Sequence, residues 1–198
     1  MEGQVEQNGG LPGLSPSTDI HVEQSELQAL IRKWVDLIRT NNPMITEPEL
    51  ITTQAQRTAV IHLVIPGRDM PKHMDPAIQE VLKTLKDQGL QPAGPMFSYH
   101  HRRPSDTFDF ELGFPVTKAI TPSERVVNGT LPAETVVRCV HQGPYEGLSQ
   151  AWPALMERVR EKNYAETGRF WERYLTNPEE VKDPKNYRTE LNWVVERS

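Results

Sequence analysis

The amino-acid sequence predicts an α+β fold: duplicated strand–helix–strand–strand modules forming an antiparallel sheet, with two helices on one face and a ligand groove on the other. Three observations predict it. Residues 46–198 contain two similar halves. Each half carries one amphipathic helix, whose apolar stripe needs a sheet to cover it. The 17 prolines among 198 residues mostly sit at element ends, as Pro66, Pro76, Pro95, Pro104, Pro115, Pro132, Pro144 and Pro184 do, rather than in low-complexity runs.

The amino-terminal stretch reads differently from the rest. Residues 1–22 are rich in Gly, Pro, Ser and Gln without periodicity, and read as a disordered tail. Residues 23–45 read as a helical extension. Ser25 and Gln28 form a capping-box pattern, Leu27, Leu30, Ile31, Trp34, Leu37 and Ile38 recur at helical spacing, and Asn41-Asn42-Pro43 stops the run. A helix over 25–41 with this stripe packs on its own domain, or serves as a homodimer or partner surface.

The first half opens with a strand ending Ala59-Val60-Ile61-His62-Leu63-Val64-Ile65, stopped by Pro66-Gly67. Asp75-Pro76 reads as a helix start, Ile78, Val81, Leu82 and Leu85 as its apolar face, and Gly89 as the left-handed residue after it. A short strand follows from Gly94 to Tyr99. Another covers 107–117, where Phe108, Phe110, Leu112 and Phe114 alternate with Asp109, Glu111 and Gly113. The second half repeats this order. Val136–His141 is a strand, and Gly143-Pro144 leads into a helix with Leu148, Trp152, Leu155 and Val159 on one face. Asn163 stands where Gly89 stood, Gly168 opens a strand as Gly94 does, and the last strand runs from Tyr187 to Glu196. Glu111-Leu112-Gly113-Phe114 aligns with Glu190-Leu191-Asn192-Trp193. A hairpin from Glu124, turning near Pro132, joins the halves.

Strand alternation turns this repeat into a site. Phe108, Phe110, Leu112 and Phe114 share the face that meets a helix, so Glu111, and by alignment Glu190, project into the opposite groove and approach a common axis. Paired carboxylates hold a cation or perform acid–base chemistry. Phe97, Tyr99, Tyr145, Trp171, Tyr174 and Tyr187 cluster near the same points in the sequence and suit a flat or cationic ligand.

Composition narrows the function classes. With 22 Lys+Arg against 27 Asp+Glu, the formal charge is −5, which argues against a protein built to hold nucleic-acid phosphates. No helix-turn-helix is evident, so no direct DNA binding is expected. No apolar run is long enough to span a membrane, and no signal peptide is evident, so the expected location is the cytoplasm. The single cysteine, Cys139, excludes an internal disulfide framework and reads as a buried thiol. The six histidines show no ligand spacing, and His100 and His101 should point to opposite faces, so no metal or other cofactor is expected. Nucleotide and nucleophile-elbow motifs are also missing from the sequence.

Four segments carry a family resemblance: His141-Gln142-Gly143-Pro144-Tyr145-Glu146, Asp109-Phe110-Glu111-Leu112-Gly113-Phe114-Pro115-Val116, Trp171-Glu172-Arg173-Tyr174 and Thr189-Glu190-Leu191. Together they resemble the GyrI-like, or effector-binding, domain, the ligand-binding half of many MerR- and AraC-type regulators that also occurs alone. The resemblance covers residues 46–196 and implies paired strand–helix–strand–strand modules around a central groove. It implies a small-molecule ligand, aromatic or cationic, held by Glu190 and Glu111 with Tyr145, Trp171, Tyr174, Phe97, Tyr99 and His141. A second implication is hydrolysis of cyclopropane-type electrophiles, with Glu111, Glu190 and Tyr145 as catalytic groups. A third is a module that binds DNA gyrase or a regulator. The more distant resemblance to SOUL-type haem proteins finds no axial-ligand pattern here.

Overall fold

The computed structural model describes residues 28–30 and 45–196. The chain divides into two compact units, 1–43 and 44–198. In the first, residues 28–30 are helical. The expected tail over 1–22 and most of the expected helix over 25–41 lie outside the described residues.

The second unit contains eight strands: β1 (Glu49–Thr52), β2 (Gln56–Pro66), β3 (Phe97–His100), β4 (Thr107–Pro115), β5 (Val127–Leu131), β6 (Thr135–Gln142), β7 (Ala165–Tyr174) and β8 (Arg188–Glu196). Two helices, α1 (Met70–Asp87) and α2 (Leu148–Glu161), follow β2 and β6. The strands form one antiparallel sheet in the order β1-β6-β8-β7-β3-β4-β2-β5. Both halves therefore have the same connectivity. In each, the first strand pairs with the third and the third with the second. The halves meet where β3 pairs with β7, and β1 and β5 extend the outer edges.

The β3–β7 register is symmetric about one residue pair. Phe97 faces Arg173, Ser98 faces Glu172 and Tyr99 faces Trp171. Ser98 and Glu172 thus sit opposite each other at the junction of the halves.

Both helices pack on one face of the sheet. Ala77, Val81 and Leu85 of α1 join Ala59, Ile61, Leu63, Phe110, Leu112 and Phe114, while Ala151, Leu155 and Val159 of α2 join Val137, Cys139, Phe170, Leu191 and Trp193. A third cluster lies on the other face, where Phe97, Tyr99 and Trp171 pack with Val60, Leu131, Val136 and Val194.

The helix ends follow the expected chemistry, while one start does not. Gly89 and Asn163 adopt φ of 66° and 55°, the left-handed conformation that ends a helix. The first helix begins at Met70 rather than at Asp75-Pro76, and Pro76 lies inside it. Lys72 pairs with Asp69 at 2.9 Å, and a proline in the first turn fits there because its missing N–H would have no helical partner. No helix among the described residues is long and apolar enough to cross a membrane.

Candidate functional site

Two helices, each seated on its own half, leave the centre of the sheet uncovered between them. A cavity of about 460 Å³ lies there. Its floor is the β3–β7 junction: Ser98, His100, Phe170, Glu172 and Tyr174. Met70 and Met74 line it from α1, Trp152 and Met156 from α2, with Arg103, Pro104, Phe108, Phe110 and Trp193 completing the wall. The sequence predicts a groove on the face opposite the helices, where a smaller depression lies. The larger cavity lies on the helix face, because the two helices straddle the junction without filling it.

Period-2 alternation along β7 puts Phe170, Glu172 and Tyr174 on this floor and Trp171 and Arg173 on the reverse. Glu172 is buried at 8% exposure. Trp152 donates its indole N–H to Glu172 Oε1 at 2.6 Å, and the Tyr174 hydroxyl donates to Oε2 at 2.6 Å. The Ser98 hydroxyl approaches Oε2 at 3.5 Å. Among the described residues, no lysine or arginine forms an ion pair with Glu172. Burial, then the adjacent carboxylate, pushes the Tyr174 phenol well above its usual range, so it stays a protonated donor.

His100 lies flat in the same floor. Its ring stacks on Phe170 at 4.3 Å and on Phe110 at 5.1 Å. Burial, followed by the neighbouring His101, lowers its pKa to about 3, so the imidazole is neutral near pH 7. His100 Nδ1 and Trp193 Nε1 are buried without a hydrogen-bond partner among the described residues, and both residues line the cavity. Arg103 lies over Trp193 at 4.9 Å from the ring centroid and also pairs with Glu166.

Of the residues singled out in the sequence, Tyr174 lines this cavity. Tyr145 stands behind it, 5.5 Å from Tyr174 and 5.1 Å from Tyr187. Burial raises the Tyr145 phenol as well. His141 is buried beneath the turn between β6 and α2, with Nε2 3.2 Å from the Pro144 carbonyl oxygen. Its ring leaves no room for a Cβ on Gly147.

The remaining residues project to the reverse face, as alternation requires, but do not converge. Glu190 and Glu111 are separated by three strand spacings in the order β8-β7-β3-β4, roughly 14 Å at least. They therefore flank the junction of the halves from opposite sides and do not meet. Glu190 Oε1 meets Arg138 and Arg173, each at 3.4 Å, and accepts from Asn192 at 3.1 Å. Glu111 lies 3.7 Å from His101. Phe97, Tyr99 and Trp171 are core residues of this face, with exposures of 1%, 7% and 0%. A smaller depression of about 250 Å³ on this side is bounded by Thr53, Gln54, Arg138, Trp171 and Arg173. Burial, followed by the charge of Glu190, pushes the Cys139 thiol up to about 12, which leaves it a neutral core group.

Glu172 is not among the residues the sequence singles out, although it lies within the Trp171–Tyr174 motif. The signal was available. A glutamate alternating with Phe170 and Tyr174 on the face that also carries Leu191 and Trp193 is a charge aimed into apolar surroundings.

The GyrI-like small molecule binding domain matches residues 46–195. The chain belongs to the GyrI-like family. As a GyrI-like domain it is a small-molecule binding module. Solved structures agree at the level of fold. The C-terminal domain of EcmrR superposes with a TM-score of 0.68 at 24% identity, covering 77% of this chain and 98% of that one. SAV2435 bound to tetraphenylphosphonium gives 0.53 at 13% identity, covering 76% and 94%. A hydrolase from Listeria innocua gives 0.53 at 14%, covering 76% and 92%. A search of the curated proteins returned no match.

Proposed function

We propose that this GyrI-like domain binds aromatic, lipophilic cations in the cavity between α1 and α2, with Glu172 as counter-charge. One observation carries the reading. Glu172 is a buried carboxylate held by neutral donors, Trp152 and Tyr174, inside an aromatic wall, with no cationic side chain paired to it among the described residues. A buried charge is costly unless paired, so the site gains most when the ligand supplies the positive charge. Phe108 offers a ring to that charge, while Met70, Met74 and Met156 offer apolar area to its substituents. The neutral His100 adds no competing charge, and Arg103, the cation in the lining, is already engaged by Glu166 and Trp193. The tetraphenylphosphonium bound by SAV2435 has the ligand chemistry that this cavity suits.

The hydrolase alternative finds less support. Both oxygens of Glu172 already accept, from Trp152 and Tyr174, and the cavity lining contains no second carboxylate among the described residues.

The test is calorimetry with tetraphenylphosphonium and with neutral triphenylphosphine oxide. The cation should bind at least tenfold more tightly than the neutral compound, and Glu172→Gln should remove most of that preference. Equal affinity for both compounds would refute the counter-charge role. Steady release of a ring-opened product from a cyclopropane-bearing alkylator, above the buffer rate, would favour turnover instead.

A further inference from the structure

The reverse face of the first half carries a second cluster of chemistry, distant in sequence and gathered by strand register. β2 and β4 are paired so that His62 lies directly across from Glu111, two positions along the ladder from the pair Val64–Asp109. Asp109 and Glu111, two residues apart on β4, point to the same side. His101, just beyond β3, folds back over them. His62 Nε2 is 2.8 Å from Asp109 Oδ1, and His101 Nε2 is 3.7 Å from Glu111 Oε1. The two imidazoles meet edge to face with centroids 5.5 Å apart. One ligating atom from each of His62, His101 and Asp109 lies within 4.8 Å of the others.

We propose that His62, His101 and Asp109, with Glu111 alongside, bind one divalent transition-metal ion of the zinc class. Two imidazoles and a carboxylate are the donors that zinc accepts, and a second carboxylate or water completes four ligands. Ligand atoms around tetrahedral zinc are roughly 3.3 Å apart, given bonds of about 2.0–2.1 Å. The three groups already approach that spacing. The two histidine side chains, 54% and 39% exposed, can rotate to close the remainder without disturbing the core. Arg102 donates to the other Asp109 oxygen at 3.2 Å and so orients the carboxylate while leaving Oδ1 for the ion. The set contains too few oxygen donors for calcium, and its imidazoles disfavour magnesium. Because the cluster and the α1–α2 cavity lie on opposite faces of the sheet, ion and organic ligand need not compete.

Histidine spacing in the sequence hides this set, because antiparallel pairing brings His62 beside Asp109.

The experiment titrates Zn²⁺ alone into the full chain by calorimetry, with Co²⁺ followed in parallel by its visible spectrum. Expected are saturable zinc binding and a Co²⁺ spectrum showing nitrogen and oxygen ligation. His101→Ala should weaken zinc by at least tenfold, and His62→Ala/His101→Ala should remove that binding. His73→Ala, an exposed histidine on α1, should leave it unchanged. Absence of binding to the unaltered chain at millimolar zinc would overturn the proposal, as would a double variant that binds as tightly as the parent. If the double variant does not fold, Asp109→Asn decides: a tenfold loss supports the site, and unchanged affinity removes it.

Discussion

Two buried glutamates, one on each face of the same sheet, show what a carboxylate does with its surroundings. Glu190, on the reverse face, stands between Arg138 and Arg173 and accepts from Asn192. Its charge is compensated within the protein. Among the described residues, Glu172, on the helix face, receives only the neutral donors of Trp152, Tyr174 and Ser98. The two residues have nearly the same exposure, 7% and 8%, so burial alone does not distinguish them. Their partners do. A carboxylate already paired with guanidinium groups gains little from a further cation, whereas one held by dipoles still lacks a counter-charge. The residue favoured by motif resemblance is the neutralised one, and the available charge lies one strand away.

The comparison can be broken or sharpened in four ways. The largest effect is expected from acid, through His100 in the cavity floor. Its folded-state pKa of about 3 lies below the ordinary value of 6.5. Between those two values the unfolded chain binds the proton and the folded chain does not, so stability falls as the pH drops through that window. The loss from this residue should reach roughly 3 kcal/mol at about pH 4. His100→Phe, which keeps the stacking on Phe170, should flatten this part of the acid limb in urea unfolding. An unchanged pH profile would show that His100 takes up its proton as readily in the folded chain as in the unfolded one.

Next in size is Glu172→Gln. Affinity for tetraphenylphosphonium should fall by about 2 kcal/mol, or roughly thirtyfold, in calorimetry. Glu190→Gln is the mirror experiment. It leaves two guanidinium groups without their counter-charge, so stability should fall by about 1–2 kcal/mol in urea unfolding while ligand affinity stays within about twofold. If Glu190→Gln costs as much affinity as Glu172→Gln, the assignment of roles to the two faces is wrong. The smallest effect is expected from Phe108→Leu. It removes one ring from the cavity wall and should weaken the cation by about 1 kcal/mol, with a smaller change for a neutral analogue.

Much of the architecture was legible in the sequence. Apolar periodicity marked both helices, alternation marked β4 and β8, and Gly89 and Asn163 marked the helix ends because few other residues tolerate a positive φ. Alternation also placed Leu191 toward a helix and Glu190 away from it, where they lie. The first helix starts ahead of its local start signal. Asp75-Pro76 has the chemistry of a start, but apolar contacts of Met70 and Met74 with the first core extend the helix by more than a turn ahead of it. The site was less legible. Phe97, Tyr99 and Trp171 have the composition of a ligand wall, yet they fill a core, because an aromatic ring buried by neighbouring strands and one facing a cavity look alike in sequence.

The sequence by itself determined which residues form strands and helices, which face of each strand is apolar, and that the chain pairs acidic groups with aromatic rings. These follow from local period and backbone preference. The tertiary structure decided which acidic group meets which partner. The order β8-β7-β3-β4 separates Glu111 from Glu190, sets Glu172 opposite Ser98 beneath the gap between the helices, and brings His62 beside Asp109. Strand order and register are long-range pairings. They arise from the joint burial of both helix stripes, a condition that no single segment of sequence contains.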